Sequence, residues 1–297
     1  MKKINNLLIT IDVEPDCDTH WNRSNPPTFE SVIYGIPRLL RPIWNKYKIN
    51  PIYFVSPEVV MNKECCLILK EEIKKGAIIG AHLHSEYIEP NKTEVKGKPS
   101  SEYPCYAHST QIEFEKIKNL TRLIKKDLGV KPILYRAARF GADLDTIKSL
   151  KKLGYKYDSS VTPEINWKKQ GGPDHSKAPL QPYWISKENY YKSTNEKEST
   201  GIIEVPITIN GKRLRFTPDS WIFYKWLRPS IMTLIEMKNL VKKMKKDYKD
   251  PTLVMMFHSM EIIPNKSPYV RNKFMQKLFL SRLVKIIKYI QTKNEKL

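Results

Sequence analysis

The feature that most limits the possible folds is an alternation of short apolar segments with longer segments of helical periodicity. Leu7–Glu14 is a nearly continuous apolar run, typical of a strand that is buried on both faces. A helix is predicted across about 29–47, and apolar strands follow at 52–55 and 77–82. Strands that alternate with helices require parallel pairing and right-handed crossovers. The sequence therefore predicts an α/β fold with a mostly parallel sheet.

The alternation continues to the end of the chain. Further strands are predicted at 133–136, 155–158, 202–207 and 253–258, and further helices at 63–75, 113–128, 144–153, 229–248 and 273–293. The segment from about 159 to 200 is rich in Pro, Gly, Trp and Tyr and has little periodicity, which predicts a loop-rich insertion. Another loop, 89–108, is long enough to cover a site. Because no repeat or domain boundary is visible, we expect one domain over residues 1–297.

The composition is strongly basic. Lys and Arg total 52 against 31 Asp and Glu, which gives a formal net charge of +21. Such a charge attracts anions, and nucleic acid, acidic lipid headgroups and diphosphate-linked sugars all qualify. A lysine-rich proteome is another source of the same bias, because most of the lysines fall in predicted helices.

Cysteine usage and hydropathy indicate the compartment. Four cysteines form no CxxC pair and no regular framework, which argues against a structural zinc site and a disulfide scaffold and favours a reducing compartment. The apolar run near the N-terminus is too short for a signal-peptide core. No stretch reaches the roughly 18 apolar residues that a membrane span needs. We expect a cytoplasmic protein.

Chemically active side chains stand at the C-terminal ends of the predicted strands. These residues are Asp12, Glu14, His82, His84, Arg136, Asp158 and His258. In parallel sheets and barrels, functional groups collect at this end of the strands. One such residue is uninformative, but seven along the same rim indicate a site.

Two short patterns at this rim have metal-ligand chemistry. His82, His84 and Glu86 alternate, so on a strand their side chains would share a face. Imidazole and carboxylate ligands suit zinc, iron, cobalt or nickel, and a metal with an open position can be hydrolytic. Taken alone, the two histidines could equally cap a strand, and Asp12-x-Glu14 could be a helix cap or loop.

Five segments in order carry a family resemblance. They are Thr10–Glu14, Gly80–Glu86, Tyr135–Gly141, Tyr157–Ser160 and Phe257–Glu261. Together they resemble the motifs of the polysaccharide deacetylase, or NodB-homology, family of metal-dependent carbohydrate esterases. The resemblance implies a single distorted (β/α)7-type barrel of about seven strands. It also implies hydrolysis of an N-acetyl or other acyl group on a sugar.

The resemblance assigns a role to each matching residue. Asp12 would be the general base, Arg136 the partner that holds this base ionised, and His258 the general acid. Asp158 matches the fourth motif and would support the acid. Glu14 and His82 would be metal ligands, with Zn the first choice of divalent metal and Co, Ni or Fe as alternatives.

Three departures from the family pattern leave questions open. The usual second histidine, four residues after the first, is replaced by Glu86 here. The third metal ligand is therefore His84 or Glu86, and we favour His84. The usual prolines of the third motif are Ala137 and Ala138, and Arg139 is added. The short N-terminal apolar run is more similar to intracellular branches of surface-polysaccharide or O-antigen (lipopolysaccharide) biosynthesis. Their substrates would be nucleotide- or lipid-linked sugars.

Further residues are candidates for substrate binding. They are Arg139, Trp21, Trp167, Trp184 and Glu261. Arg139 could bind a phosphate through its planar fork, and the tryptophans could stack on sugar rings or instead form local loop cores. Glu261 lies close enough in sequence to His258 to tune it. The substrate is expected to be anionic or diphosphate-linked, and no nucleic acid partner is expected.

Two other classes of function remain as alternatives. A phosphoesterase or other metal hydrolase would normally carry its HxH in the first strand with several more histidines, and only six histidines exist. A non-catalytic basic protein that binds carbohydrate or anions would account for the net charge, but not for the seven chemically active residues at the strand ends. The basic helix at about 273–293, with the aromatic segment 221–228, could touch a membrane. Its apolar stripe could equally pack on the barrel, which we favour.

Overall fold

The computed structural model describes residues 7–92, 103–212 and 223–294. Its strands are β1 (Leu7–Val13), β2 (Ile52–Val55), β3 (Ile78–Leu83), β4 (Leu134–Ala137), β5 (Tyr157–Asp158), β6 (Tyr183–Ser186), β7 (Ser193–Thr194), β8 (Ser199–Glu204), β9 (Ile209–Lys212), β10 (Phe223–Trp226) and β11 (Leu253–His258). Its α-helices are α1 (Arg41–Tyr47), α2 (Pro57–Met61), α3 (Lys63–Lys74), α4 (Pro104–Ala107), α5 (Thr110–Leu128), α6 (Leu144–Leu153), α7 (Leu234–Asp247) and α8 (Lys273–Asn294).

The main sheet has nine strands and curls into a half-barrel. Within the described ranges, seven strands pair in parallel in the order β11-β1-β2-β3-β4-β5-β8. β6 and β7 extend the β8 edge with antiparallel pairing. The predicted α/β fold with a mostly parallel, barrel-like sheet is confirmed. The segment predicted as loop-rich also contributes β6 and β7 to the sheet.

A separate hairpin of β9 and β10 lies beside the first strand of the sheet order. The backbone N–H of Thr208 donates to the carbonyl of Val254 (3.1 Å), and that of Met256 donates to Leu227 (3.3 Å). These bonds occupy the edge of β11 that faces away from β1. Thr208 and Leu227, which flank the hairpin, therefore hydrogen-bond to the otherwise open edge of the sheet.

Alternation along the strands separates two cores. Ile9 and Ile11 belong to the large core between the sheet and the helices. Val254 and Met256 of β11 belong to a smaller cluster inside the half-barrel, together with Trp226, which we call the inner core. Because neighbouring residues on a strand face opposite ways, β11 contributes to both cores, and Leu8 of β1 also packs against the smaller one. The polar residues at the strand ends continue the inner set.

Local signals fix several helix boundaries. Asp143 caps α6 through a capping box with Thr146, and Gly154 ends the helix in the left-handed region at φ 85°. The observed α6 matches the predicted 144–153. The helix predicted at about 29–47 begins as wide π-helical turns at Ser31–Leu40, with Pro37 inside, and becomes regular in α1.

The final helix packs on the barrel. Leu283, Ile286, Ile287 and Ile290 of α8 are fully buried in the large core. Its apolar stripe is therefore a packing surface, and only the first turns differ, where the Phe274 side chain is 74% exposed. Among the described residues, no helix is both long and apolar enough to cross a membrane.

Candidate functional site

Strand register brings the predicted rim residues together. Asp12 of β1 lies opposite His258 of β11, and His82 of β3 lies opposite Arg136 of β4. Asp12 also pairs with Phe54, which pairs with Gly80, two residues before His82. Residues paired across strands, or two apart on one strand, point the same way. We call the resulting group the rim site: Asp12, Glu14, His82, His84, Arg136 and His258.

Asp12 is held by a fixed arginine. The Nη1 of Arg136 donates to Asp12 Oδ1 at 2.6 Å. Three more guanidinium hydrogens are used, by the Thr10 hydroxyl (3.0 Å) and by the Ser159 hydroxyl (2.9 Å) and carbonyl (3.0 Å). Arg136 has no solvent exposure. One carboxylate oxygen of Asp12 is thereby pinned, and Oδ2 faces the rest of the site.

The tautomer of His82 prepares one nitrogen for a cation. Its Nδ1 lies 2.9 Å from the Arg136 carbonyl oxygen, which can only accept, so Nδ1 carries a proton. Its Nε2 lies 3.2 Å from Glu14 Oε1. In neutral His82 these two atoms are both acceptors and face each other without a hydrogen between them. A metal cation satisfies this arrangement, and the backbone contact is the usual outer support of a metal-binding histidine.

His84 completes the group of metal donors. Its Nε2 lies 3.1 Å from Glu14 Oε2, and the donor atoms of Glu14, His82 and His84 all lie within 4.8 Å of one another. This set of two imidazoles and one carboxylate fits a divalent metal that keeps an open position. Burial alone would raise the pKa of Glu14, but the neighbouring His84 holds it well below its usual value.

Glu86 is not one of the grouped donors. β3 ends at Leu83, so the expected alternation through 82, 84 and 86 does not continue, and Glu86 lies on a 3-10 turn at Ser85–Tyr87. Its carboxylate is 3.4 Å from His84 Nδ1. This position orients the histidine from its other nitrogen.

Arg23 belongs to this site and was missed by sequence reasoning. Its Nη2 donates to Glu14 Oε2 at 2.8 Å, its Nη1 pairs with Glu58, and its guanidinium lies 4.6 Å from the Tyr87 ring centre. Arg23 is buried, and it lies in the polar loop after β1. Its positive charge offsets the carboxylates of Glu14 and Glu58. Because Arg23 binds Oε2 of Glu14, the Oε1 atom remains available to His82. No local pattern in one sequence marks such a residue.

The His258 ring points towards the carboxylates of Asp12 and Glu14. Its Nε2 is 3.6 Å from Glu14 Oε1 and 4.0 Å from Asp12 Oδ2. Its side chain is 17% exposed, against 2% for Asp12 and 8% for Glu14. It is thus the rim group most open to an incoming molecule.

Glu261, which was predicted both to tune His258 and to bind substrate, contacts the Nδ1 side of the His258 ring. Its Oε1 is 2.8 Å from His258 Nδ1 and accepts the His258 backbone N–H at 3.0 Å, and it pairs with Arg228. The carboxylate is completely buried. Burial alone would raise the pKa of Glu261, but Arg228 and His258 lower it to about 2. Arg228 is a second residue that sequence reasoning missed.

Trp21 is brought to the rim site. Its ring meets the His258 ring edge-on with centroids 5.3 Å apart, and meets Tyr269 in the same way at 5.6 Å. Arg139 is exposed just after β4, with φ at 55°. Both positions are compatible with contact to a molecule at the rim. Of the predicted covering loop at 89–108, residues 93–102 lie outside the described part of the chain.

Asp158 lies on the other face of the sheet. It pairs with Tyr135, the neighbour of Arg136, so it points away from the rim group. It accepts from Ser160 (2.6 Å) and Tyr190, and makes no contact with His258. Burial raises the pKa of both Asp158 and Glu204, which lie side by side. The contact with His258 that was expected of Asp158 is made by Glu261.

The other two tryptophans are not at the rim. The indole N–H of Trp167 donates to the Thr162 hydroxyl at 2.8 Å, and the ring packs against the inner core, which is the local-core alternative. Trp184 on β6 lines a different cleft, with Tyr157 and Ile203. The segment 221–228 begins with Trp221 and Ile222, which lie outside the described residues, and its Trp226 is buried in the inner core.

Comparison with known proteins identifies the fold. No family model and no curated protein matches the sequence. A solved structure assigned as a polysaccharide deacetylase from Mycobacterium smegmatis aligns over 99% of this chain and 93% of its own, with 13% identity and a TM-score of 0.53. A polysaccharide deacetylase from Bacillus cereus aligns over 97% and 88%, with 13% identity and a TM-score of 0.44. The first similarity extends the resemblance from five short motifs to the whole fold.

Proposed function

We propose that the protein is a metal-dependent hydrolase that removes an N-acetyl or other acyl group from a sugar. The observation that carries this proposal is the single cluster at the strand ends. It combines an arginine-bound carboxylate (Asp12), a group of metal donors (Glu14, His82 and His84) and an accessible histidine (His258). The Nε2 of His258 lies 3.6 Å from Glu14 and 4.0 Å from Asp12, and the three metal donors lie within 4.8 Å of one another. The fold shared with polysaccharide deacetylases supports the same conclusion.

Each residue has one task in this proposal. Glu14, His82 and His84 would hold a divalent metal, which would supply Lewis acidity for attack of a water on the acyl carbonyl. Asp12 takes the proton of that water through Oδ2, while Arg136 keeps the carboxylate oriented. His258 delivers a proton from Nε2 to the departing sugar amine. The C–N bond of the amide breaks, a C–O bond forms, and the products are a carboxylate and a free amine.

Zinc is the metal we propose first. Two imidazoles and one carboxylate are a donor set used by hydrolytic zinc sites, and cobalt, nickel or iron(II) can occupy the same set. Measuring the rate after chelation and after addition of each metal separately would rank them.

The proposed substrate is a nucleotide- or lipid-linked precursor of a surface polysaccharide, such as a lipopolysaccharide. The formal charge of +21 favours an anionic molecule over a neutral one, and exposed Arg139 is available to a diphosphate. Comparing a diphosphate-linked sugar with the same free sugar over a range of salt concentrations tests this. Equal efficiency on both, without salt dependence, would refute the anionic substrate.

We propose the cytoplasm as the compartment, because Cys17, Cys65 and Cys66 are buried as free thiols. Within α8, a peripheral membrane contact would use the first turns, where Phe274 and Leu278 are exposed among basic residues. We expect no binding to nucleic acid.

The test is release of product from matched substrates. Purified protein with added metal should release acetate from an N-acetylated amino sugar and lose this activity on chelation. Release of phosphate from phosphomonoesters or diesters, with no acetate, would favour the alternative of a phosphoesterase. Sugar binding with no release of either product would favour the non-catalytic alternative.

A further inference from the structure

A second cleft lies near the N-terminal ends of β5 and β8, and we call it the strand-start cleft. Its lining includes Lys151, Lys156, Tyr157, Trp184, Lys187 and Gly201, and its volume is about 710 Å³. This volume falls in the range of pockets that hold small ligands, roughly 300–1,000 Å³. None of its lining residues belongs to the rim site, whose residues lie near or beyond the C-terminal ends of their strands.

The aromatic wall of the cleft is built by strand register. Tyr157 of β5 and Trp184 of β6 both pair with Ile203 of β8, so the three side chains share one face. The Tyr157 side chain is 37% exposed, and Trp184 is half-buried. Exposed aromatic faces on a rigid sheet offer large contact area at a low cost in conformational entropy. This is the kind of surface on which the C–H face of a sugar ring stacks.

The charge of the cleft is positive and unpaired. Lys151, Lys156 and Lys187 are exposed, and none forms an ion pair with any residue in the described ranges. Glu196 is the acidic residue among those lining the cleft. Three free ammonium groups against one carboxylate favour an anionic ligand.

Gly201 leaves room beside it for one lysine. A Cβ added at Gly201 would lie 2.2 Å from Lys151 Nζ, and the glycine has φ at 79°. A side chain at this position would therefore displace the ammonium group, and its backbone would be strained. The absence of a side chain lets Lys151 lie across the start of β8, at the lining of the cleft.

We propose that the strand-start cleft binds an acidic oligosaccharide, with Trp184 and Tyr157 stacking on sugar rings and the three lysines contacting carboxylate or phosphate groups. This site would hold an anionic glycan apart from the rim. The inference goes beyond the proposed function and does not depend on it, because binding here requires no hydrolysis.

The experiment measures binding by calorimetry with an oligogalacturonate, which carries carboxylates and has no acyl group for the rim to remove. A neutral oligosaccharide of the same length, a phosphodiester-linked one and an acidic peptide serve as comparisons. We expect the oligogalacturonate to bind and the neutral sugar and the peptide to bind at least about tenfold more weakly. The phosphodiester arm tells which anion is preferred.

Variants test the named residues. Replacing Lys151, Lys156 and Lys187 together by Gln should weaken binding about tenfold, since each exposed ion pair contributes modestly. Trp184→Ala should weaken it about fivefold. A control with Lys126, Lys242 and Lys246 replaced by Gln removes the same charge from exposed helix positions and should change binding less than twofold.

Three results would overturn the inference. They are no binding of either anionic oligosaccharide, an equal loss in the control variant, and equal binding of the acidic peptide. Melting temperatures of all variants show that each is folded, and Trp184→Phe, which keeps an aromatic face, should retain most of the affinity. Because the readout is binding without turnover, an inactive rim would not produce any of these results.

Discussion

The rim site and the strand-start cleft differ in how their charges are paired. At the rim, Asp12, Glu14 and Glu261 are buried and each carboxylate contacts an arginine. In the cleft, the lysines are exposed and have no acidic partner within hydrogen-bond reach among the described residues. Buried charges are tolerable only when paired, whereas exposed charges need no partner because water solvates them. The arginines at the rim are therefore committed to buried carboxylates, whereas the lysines of the cleft are free to bind an anionic ligand.

The largest effect on stability should come from breaking a buried pair at the rim. Arg136→Met leaves Asp12 buried without its partner and removes donors from Thr10 and Ser159. We expect a loss of about 3–5 kcal/mol in the free energy of unfolding, measured by urea denaturation. Arg139→Met, three residues later and exposed, is the matched control and should cost no more than about 0.5 kcal/mol. If both variants lost a similar free energy of unfolding, the paired arginine at the rim would be no more important for stability than an exposed one.

A smaller effect is expected at the lysine beneath the rim. Lys116 is completely buried, and its ammonium donates to the carbonyls of Ser85 (2.8 Å), Ile88 (2.7 Å) and Asn91 (3.3 Å), the segment that follows His84. Lys116→Met should cost about 2–3 kcal/mol, because these carbonyls lose a charged donor.

The control for Lys116 lies on the same helix. Lys118 is partly exposed and pairs with Glu115 three residues earlier. Lys118→Met should cost less than about 1 kcal/mol in the same denaturation experiment. If Lys116→Met were equally mild, the three carbonyls would have to find water, and Lys116 would not be holding the loop.

A carboxylate buried without a cation should behave differently from the rim carboxylates. Burial raises the pKa of Glu113 to about 7, and Asp143, Asp145 and Asp158 add to the rise, while the Thr146 hydroxyl donates to it and opposes the rise. Between its ordinary value of 4.5 and about 7, the folded state keeps this proton and the unfolded chain releases it. Its contribution to stability is therefore lost as the pH rises through that window.

Glu113→Gln removes this titration. Relative to the original chain, the variant should gain on the order of 1–3 kcal/mol of stability between pH 5 and pH 8, measured by urea denaturation at both values. Glu115→Gln, a partly exposed neighbour on α5, should show a pH-dependent change of less than about 0.5 kcal/mol. A constant difference between Glu113→Gln and the original chain at both pH values would contradict the burial argument.

The smallest effect on stability is expected in the cleft. Replacing Lys151, Lys156 and Lys187 by Gln should change the free energy of unfolding by less than about 0.5 kcal/mol per residue, because no ion pair within the described structure is lost. A clear destabilisation in thermal unfolding would mean that these lysines stabilise the fold and are not free for a ligand.

Much of the fold could be predicted because the signals were local. α6 has its own capping box and terminal glycine, and β11 (Leu253–His258) is an apolar run of the predicted length. The rim group could be predicted because parallel strands place their C-terminal ends together. Asp12, His82, Arg136 and His258 are each the last or next-to-last residue of a strand.

The remaining site residues depend on tertiary paths that no local pattern encodes. Arg23 and Arg228 come from loops, and only packing brings them to Glu14 and Glu261. Asp158 matches a motif, but its position in a two-residue strand turns it to the opposite face. Trp184 was expected at the site and lies on an antiparallel strand that the sequence did not predict.

The measurement that tests the central claim most directly is metal content and acetate release on the same three samples. The unmodified protein should hold about one divalent metal per chain and release acetate from an N-acetylated sugar. His82→Ala should lose both the metal and the activity, whereas His258→Ala should keep the metal and lose about 10²–10⁴ in rate. His20→Ala, an exposed histidine in the loop after β1, should resemble the unmodified protein. Full metal occupancy in His82→Ala, or an unchanged rate in His258→Ala, would contradict the account.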